Sequence, residues 1–291
     1  MMDMAAQSGD SFDDARRVRR NRFLMGLARG IAGALLFALP MLMTMEMWFL
    51  GFYMGRDRLL LLMLLNIPLL VVLAHRIGFE RTVSWREAAR DATVAYGIGI
   101  VSSALILTVF GLLKGDMPGT EIIGKIALQS VPASIGAMLG RSQLAGDADD
   151  DEDEEEPDET QTTYFGELFL MAVGALILSL NVAPTEEMIV IAYKMTHWHA
   201  LALVILSIAL MHGFVYAVSF EGGHELSPDT PWWHAFVRFT LPGFVIALSI
   251  SLYTLWSFER IDDTSAANVL LSVIVLAFPA SLGAAAARLI L

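Results

Sequence analysis

Hydrophobic residues cluster in segments of about 20 residues, the length that an α-helix needs to cross a bilayer. Eight such segments can be delimited along the chain: about Phe23 to Tyr53, Leu59 to Ala74, Ala92 to Leu113, Ile122 to Leu139, Tyr164 to Tyr193, Ala200 to Phe220, Phe236 to Phe258, and Ala266 to the C-terminus. The alternation of apolar and polar residues that is typical of strands is absent. The pattern therefore predicts an all-α, polytopic membrane protein with about eight transmembrane helices.

The first and fifth segments, at about 30 residues each, are longer than one span needs. Pro40 lies within the first segment, and Asn181 and Pro184 lie within the fifth. Because proline removes a backbone donor and clashes with the preceding turn, we predict a broken or strongly tilted helix in each segment. Such breaks free backbone carbonyls, which can bind cations.

The chain contains an internal repeat. Gly33–Leu39 aligns with Gly174–Leu180, and without a gap Thr44 and Glu46 then fall on Thr185 and Glu187. Near the end of each half, Val131–Gly136 matches Phe278–Gly283, and Arg141 matches Arg288 five residues later. Polar, proline and glycine residues coincide in the correct order, so chance similarity between apolar helices is a weak explanation. We interpret the chain as a duplicated four-helix unit.

The repeat divides the chain into four parts: a cytoplasmic N-terminal arm (residues 1–21), a first four-helix membrane repeat (22–141), an acidic linker (142–162) and a second four-helix membrane repeat (163–291). Eleven acidic residues lie between Asp147 and Glu159, and without them the net charge of −12 becomes −1. A like-charge block of this kind predicts a disordered linker. Because each unit spans four times, both copies start on the same side, so we expect parallel repeats related by a pseudo-two-fold axis along the membrane normal.

Composition and loop charges support a membrane location and an orientation. The 291 residues are 56% hydrophobic and only 17% charged. Soluble domains average about 25% charged residues. With a cytoplasmic N-terminus, about twice as many Lys and Arg residues fall on the inner side as on the outer side, which receives Arg56, Arg58, Lys114, Lys125, Lys194 and Arg260. We therefore expect both termini and the linker to be inside, with residues 79–90 as an interfacial helix.

Glu46 and Glu187 are the most informative polar residues. A carboxylate at the centre of a spanning helix costs about 2.5–3.5 kcal/mol on insertion scales, and such residues generally face a bundle interior or water. We predict an ion pathway lined by Glu46, Glu187, Glu186, Thr44 and Thr185, in which the two matched carboxylates are the candidate metal ligands. Oxygen ligands of this kind suit Ca²⁺, Mg²⁺, Na⁺ or protons better than soft metals. The alternatives are interfacial, solvated carboxylates and threonine hydroxyls that bond back to the preceding turn.

Other polar residues are weaker candidates. His212, within the sixth segment, is either a proton-sensing partner or a hydrogen-bonded histidine of the bundle. Gln129, Ser130 and Ser134 on the fourth segment either line a path or allow close helix contact. Glu121 and Lys125, spaced i,i+4, are expected to form a surface ion pair. The chain has no cysteine, which excludes disulfides, iron–sulfur clusters and thiol catalysis.

At Thr44–Trp48 (TMEMW) and at Ala183–Met188 (APTEEM), the chain resembles an uncharacterised family of bacterial integral membrane proteins with a domain of unknown function. The resemblance covers nearly the whole chain, and it implies a location in the bacterial inner membrane but no activity. Glu186-Glu187 followed by His212 also faintly resembles membrane-embedded CAAX-type proteases. Ile191 and Ile208 stand where that family's pattern has arginine and phenylalanine, so an enzyme is disfavoured.

These observations favour a cation channel or transporter for Ca²⁺ or another hard cation, with proton coupling left open. A membrane scaffold or sensor without transport is the second hypothesis, and an intramembrane protease is the third. The expected partners are the lipid bilayer and an inorganic cation, with self-association left open and no nucleic acid. We expect no cofactor other than a bound Ca²⁺ or similar cation.

Overall fold

The computed structural model describes residues 3–77, 84–143, 164–217, 233 and 236–290. Ten α-helices are present in this part of the chain: α1 (Asp3–Leu42), α2 (Met45–Tyr53), α3 (Arg56–Ile77), α4 (Trp85–Val109), α5 (Gly119–Gln143), α6 (Tyr164–Val182), α7 (Glu186–Lys194), α8 (His197–Ala217), α9 (Leu241–Ser257) and α10 (Ala266–Ile290). A π-helical turn, Phe236–Thr240, leads into α9. No strand occurs among the described residues.

Eight of the ten helices are long and apolar enough to cross a membrane. The prediction of an all-α protein with about eight spans is therefore confirmed. The other two helices, α2 and α7, have nine residues each. At the usual rise they extend about 14 Å and are too short to cross. They are the distal pieces of the two long segments, and the predicted helix breaks fall at Met43–Thr44 and Ala183–Thr185.

Two predicted segments differ from the structure or lie outside it. The acidic linker lies outside the described residues, except for its first two positions, which belong to α5. Positions 79–83 of the predicted interfacial helix also lie outside the described residues. Trp85–Arg90 form the first turns of spanning helix α4. A capping box starts this helix: the Ser84 hydroxyl accepts from the Glu87 amide, and the Glu87 carboxylate accepts from the Ser84 amide. The cap fixes the first residue of α4, which hydrophobic patterning alone did not reveal.

Helix α5 is the centre of the first half. In its spanning window 83% of the residues are buried, whereas no other span exceeds 56%. Its small residues allow close packing, because a side chain on Gly33 of α1 would collide with the backbone of Gly136 on α5. Helix α10 occupies the corresponding place in the second half, where Gly174 of α6 lies against Gly283. The glycines that the repeat aligned thus make the same helix contact in both halves.

The two halves also order their helices similarly. The first span packs most extensively on the fourth in each half, as α1 on α5 and α6 on α10. The short distal helices follow the same rule, because α2 contacts α5 and α7 contacts α10. A buried ion pair, Arg288 Nε to Glu167 Oε2 at 2.8 Å, further joins α10 to α6.

Candidate functional site

The two helix breaks meet where the halves contact each other, and Asn181 joins them. Its side-chain Oδ1 accepts a hydrogen bond from the Met41 amide at 2.9 Å, and its Nδ2 donates to the Phe37 carbonyl at 3.4 Å. Met41 and Phe37 are spaced i,i−4 in α1 and would otherwise bond to each other. A side chain from the second half therefore contacts both members of one backbone pair of the first helix, one residue from Pro40. Such an insertion, like proline, is a recognised cause of a kink.

The threonines at the breaks bond back to their own helices. The Thr44 hydroxyl donates to the Met41 carbonyl at 2.7 Å, and the Thr185 hydroxyl donates to the Val182 carbonyl at 2.8 Å. Of the two roles considered for these hydroxyls, the structure shows the local one. As a result neither threonine side chain caps the helix that follows it. The first amides of α2 and α7 are left for other partners.

Glu46 supplies such a partner for α7. Its Oε1 accepts a hydrogen bond from the Glu186 amide, with 3.3 Å between the two atoms. A carboxylate at a helix N-terminus is stabilised by the unsatisfied amides and by the helix dipole. The first half thus caps a helix of the second half, and the half-buried Glu46 lies beside the turn that carries Glu186 and Glu187. Among the described residues no reciprocal bond joins Glu187 to α2, and the Glu187 side chain is exposed.

The connection between α9 and α10 passes over this junction; we call residues 258–264 the strap. Glu259 Oε1 accepts from the Gly55 amide at 2.7 Å, and Asp262 pairs with Arg58 at 2.9 Å. Glu259 and Asp263 have φ values of 59° and 53°. This left-handed conformation is uncommon outside glycine. The strap of the second half is thus fastened to the start of α3 in the first half, and its backbone conformation is held by these contacts.

Arg260 of the strap reaches the second break. Its guanidinium donates a hydrogen bond to the carbonyl of Pro184. Pro184 is two residues before Glu186, whose amide donates to Glu46. Tyr53 lies outside the eight spans, and the pKa of its phenol depends on the neighbouring charges. Burial raises the pKa of the Tyr53 phenol, the Arg260 charge lowers it, and the charges of Glu259, Glu186 and Glu46 raise it. The charges of one arginine and three carboxylates therefore act on this phenol.

The structure joins Glu46 to Glu186, and Thr44 and Thr185 each precede the helix that carries one of these residues. Glu187 is exposed beside Glu186. His212 lies in the last turns of α8, whereas the glutamates precede that helix. Its Nδ1 is 3.0 Å from the Thr240 hydroxyl, and its ring makes an edge contact with Phe236. Among the described residues, no group of three or more His, Cys, Asp or Glu side chains has the spacing of a metal site. Metal binding by Glu46 and Glu187 remains a prediction.

A second polar group lies inside the first half. Asn66 Nδ2 donates to the Ser134 hydroxyl at 2.8 Å, and Gln129 Nε2 donates to the Ala38 carbonyl of α1 at 2.7 Å. Ser130 donates to the Ala127 carbonyl in the same buried region. These contacts hold α3, α5 and α1 together. They support the packing role considered for Gln129, Ser130 and Ser134.

Eight apolar spans, two short helices after breaks and a polar junction between them define a polytopic α-helical protein of the lipid bilayer. The chain belongs to the family described as "Putative integral membrane protein (DUF2391)", whose model matches residues 26–291. This confirms the membership that the motifs at residues 44–48 and 183–188 suggested. No curated protein and no solved structure matches the chain.

Proposed function

We propose that this protein is a channel or transporter for a hard cation, with a pathway that passes the break junction. One observation carries the proposal: the carboxylate of Glu46 from one half lies at the broken start of α7 in the other half. Discontinuous helices that meet at the interface of two repeats form the ion and substrate sites of many transporters. A site shared between two halves can open and close when the halves move against each other.

The chemistry of the junction suits a cation. Glu186 and Glu187 lie in the first turn of α7, and the Glu46 carboxylate meets the first amide of that helix, so three carboxylates lie at or beside one helix start. Carboxylates are retained inside membranes mainly where they bind or conduct ions, because their insertion is costly. Ca²⁺ is the first candidate, and protonation of the same carboxylates would couple movement of the cation to pH.

The proposal includes an orientation. The excess of Lys and Arg on the side of the N-terminus favours cytoplasmic termini in a bacterial cell, with the protein in its inner membrane. The breaks then lie in the outer half of the bilayer, about 10–15 Å below its outer boundary. A cation would enter the junction from outside.

Flux into proteoliposomes tests the proposal. Purified protein is reconstituted, and uptake of Ca²⁺, Na⁺ and K⁺ is measured with and without a pH gradient. We expect uptake by the wild type and a loss of at least tenfold in Glu46→Gln and in Glu187→Gln. Glu87→Gln is the matched control, because glutamine preserves the capping box at Ser84 and lies far along the chain from the junction. If the wild type moves no ion, or if the junction variants match it, the proposal fails and a scaffold or sensor is favoured.

A further inference from the structure

Arg260 stands out among the charged residues of the junction. Its guanidinium donates to the Pro184 carbonyl, and its buried Nε has no hydrogen-bond partner among the described residues. In the described part of the chain no carboxylate lies within the 4.0 Å that defines an ion pair with it. By contrast, Arg58 of α3 forms an ion pair with Asp262 of the strap. The positive charge of Arg260 is therefore held at the break by the backbone, without direct neutralisation.

The position of this charge relates it to the carboxylates. Pro184, which accepts from Arg260, is two residues from the amide that binds Glu46. Arg260 and three carboxylates also act together on the phenol of Tyr53. Arg260 is thus held at the break where Glu46 meets Glu186, and among the described residues it forms no salt bridge with either carboxylate.

We propose that Arg260 is a built-in positive charge that sets the affinity of the Glu46–Glu186 junction for cations. This inference rests on the proposed function, because it concerns the same site. A cation that approaches the carboxylates meets the repulsion of Arg260, so the site binds cations weakly enough to release them. Conduction requires such a compromise between binding and release.

The magnitude follows from Coulomb's law. Two unit charges about 10 Å apart, at an effective dielectric of about 20 to 40, change the binding of a monovalent cation roughly 4- to 17-fold. For a divalent cation the energy doubles, so the fold-change is squared. A purely structural role of Arg260 would change the affinities for Na⁺ and Ca²⁺ by similar factors.

The test is the equilibrium binding of Na⁺ and Ca²⁺ to the purified full-length protein, measured from the cation-dependent rise in the unfolding temperature. Arg260→Gln keeps a donor for the Pro184 carbonyl but removes the charge, and Arg260→Lys keeps the charge. Arg58→Gln is the matched control, because it loosens the strap at its ion pair with Asp262. We expect Arg260→Gln to bind Na⁺ several-fold more tightly and Ca²⁺ by a larger factor, whereas the other two variants resemble the wild type.

Three outcomes overturn the inference: no cation binding by any variant, binding by Arg260→Gln within twofold of the wild type, or equal tightening in Arg260→Lys. Binding is measured separately from flux, so the two proposals can fail independently. Tighter binding in Arg260→Gln without any wild-type flux would remove the transport function and keep the role of Arg260. If flux depends on Glu46 but Arg260→Gln binds cations with unchanged affinity, the transport function is kept and the role of Arg260 is removed.

Discussion

Alanine in place of Gly33 should weaken the packing of the first half. Gly33 lies against the backbone of Gly136 on α5, and a Cβ atom built on Gly33 overlaps the Gly136 carbonyl oxygen. Backbone atoms cannot rotate away as a side chain can, so α1 and α5 must separate to admit the methyl group. Gly174 makes the matched contact with Gly283 in the second half.

The expected cost follows from the size of the overlap. Overpacking by one methyl group costs about 1–3 kcal/mol where the surroundings cannot yield. Alanine also favours a helix over glycine by about 0.8–1.0 kcal/mol, but this gain shrinks in detergent because the unfolded state keeps helical structure. We therefore expect Gly33→Ala and Gly174→Ala each to lose about 1–3 kcal/mol of unfolding free energy.

Gly97 of α4 and Gly213 of α8 provide the matched controls, because nothing lies within 4 Å of a Cβ atom built on either. Alanine there should change the unfolding free energy by between zero and about +1 kcal/mol. Unfolding is followed by tryptophan fluorescence as sodium dodecyl sulfate replaces a mild detergent. A loss below about 0.5 kcal/mol in Gly33→Ala would refute the packing argument. Losses at Gly33 and Gly174 that differ by more than about 2 kcal/mol would contradict equivalent contacts in the two halves.

Three further predictions concern polar contacts. Asn181→Leu removes the insertion into α1 and should cost about 1–3 kcal/mol of unfolding free energy, measured in the same assay, whereas Asn181→Gln should recover part of the loss. Glu167→Gln breaks a buried ion pair with Arg288 and should cost about 3 kcal/mol of unfolding free energy, and if the pair acts as a unit the double variant with Arg288→Gln should cost less than the sum of the two single variants. Because burial raises the pKa of Tyr53, its phenol should ionise above pH 10, seen as the difference in phenolate absorbance between the wild type and Tyr53→Phe. The contribution of the protonated Tyr53 phenol to the stability of the folded protein is complete below pH 10, and it is lost as the pH rises through the folded-state pKa.

Much of the fold could be predicted because a bilayer constrains sequence strongly. Span length, span number and the two breaks follow from apolar runs and from proline, which act locally. The alignment pairs Gly33 with Gly174 and Gly136 with Gly283, but their contacts across helices are visible only in the structure. Lys125 shows the limit of local reasoning. It forms the predicted ion pair with Glu121, at 2.7 Å, but its side chain is only 5% exposed. The prediction that this pair lies on the surface is therefore wrong. Spacing along a helix shows which side chains can meet, but neighbouring helices decide whether the pair is buried.

The candidate site was predictable in its residue types but not in its contacts. Glu46 could be singled out as a costly intramembrane charge, but its partner, the Glu186 amide, is 140 residues away along the chain. The sequence identifies Arg260 only as a loop charge, because nothing in the pattern around it indicates that the strap folds back to Pro184. Contacts of this kind depend on how the halves are placed against each other, which the repeat alignment does not specify.

The places where the repeats differ explain why the junction is one-sided. Asn181 aligns with Pro40, so only the second half has an amide side chain to insert into its partner helix. Proline at the equivalent position cannot make hydrogen bonds with its side chain, so a symmetric exchange is impossible. Glu186 similarly aligns with Met45, which gives the start of α7 a carboxylate that α2 lacks. Both differences lie at the second break, where Glu46 caps α7. The polar side chains of the junction are therefore more numerous at the second break than at the first. The two similar halves therefore share a polar contact at this break, in which the Glu46 carboxylate of the first half accepts from the Glu186 amide of the second.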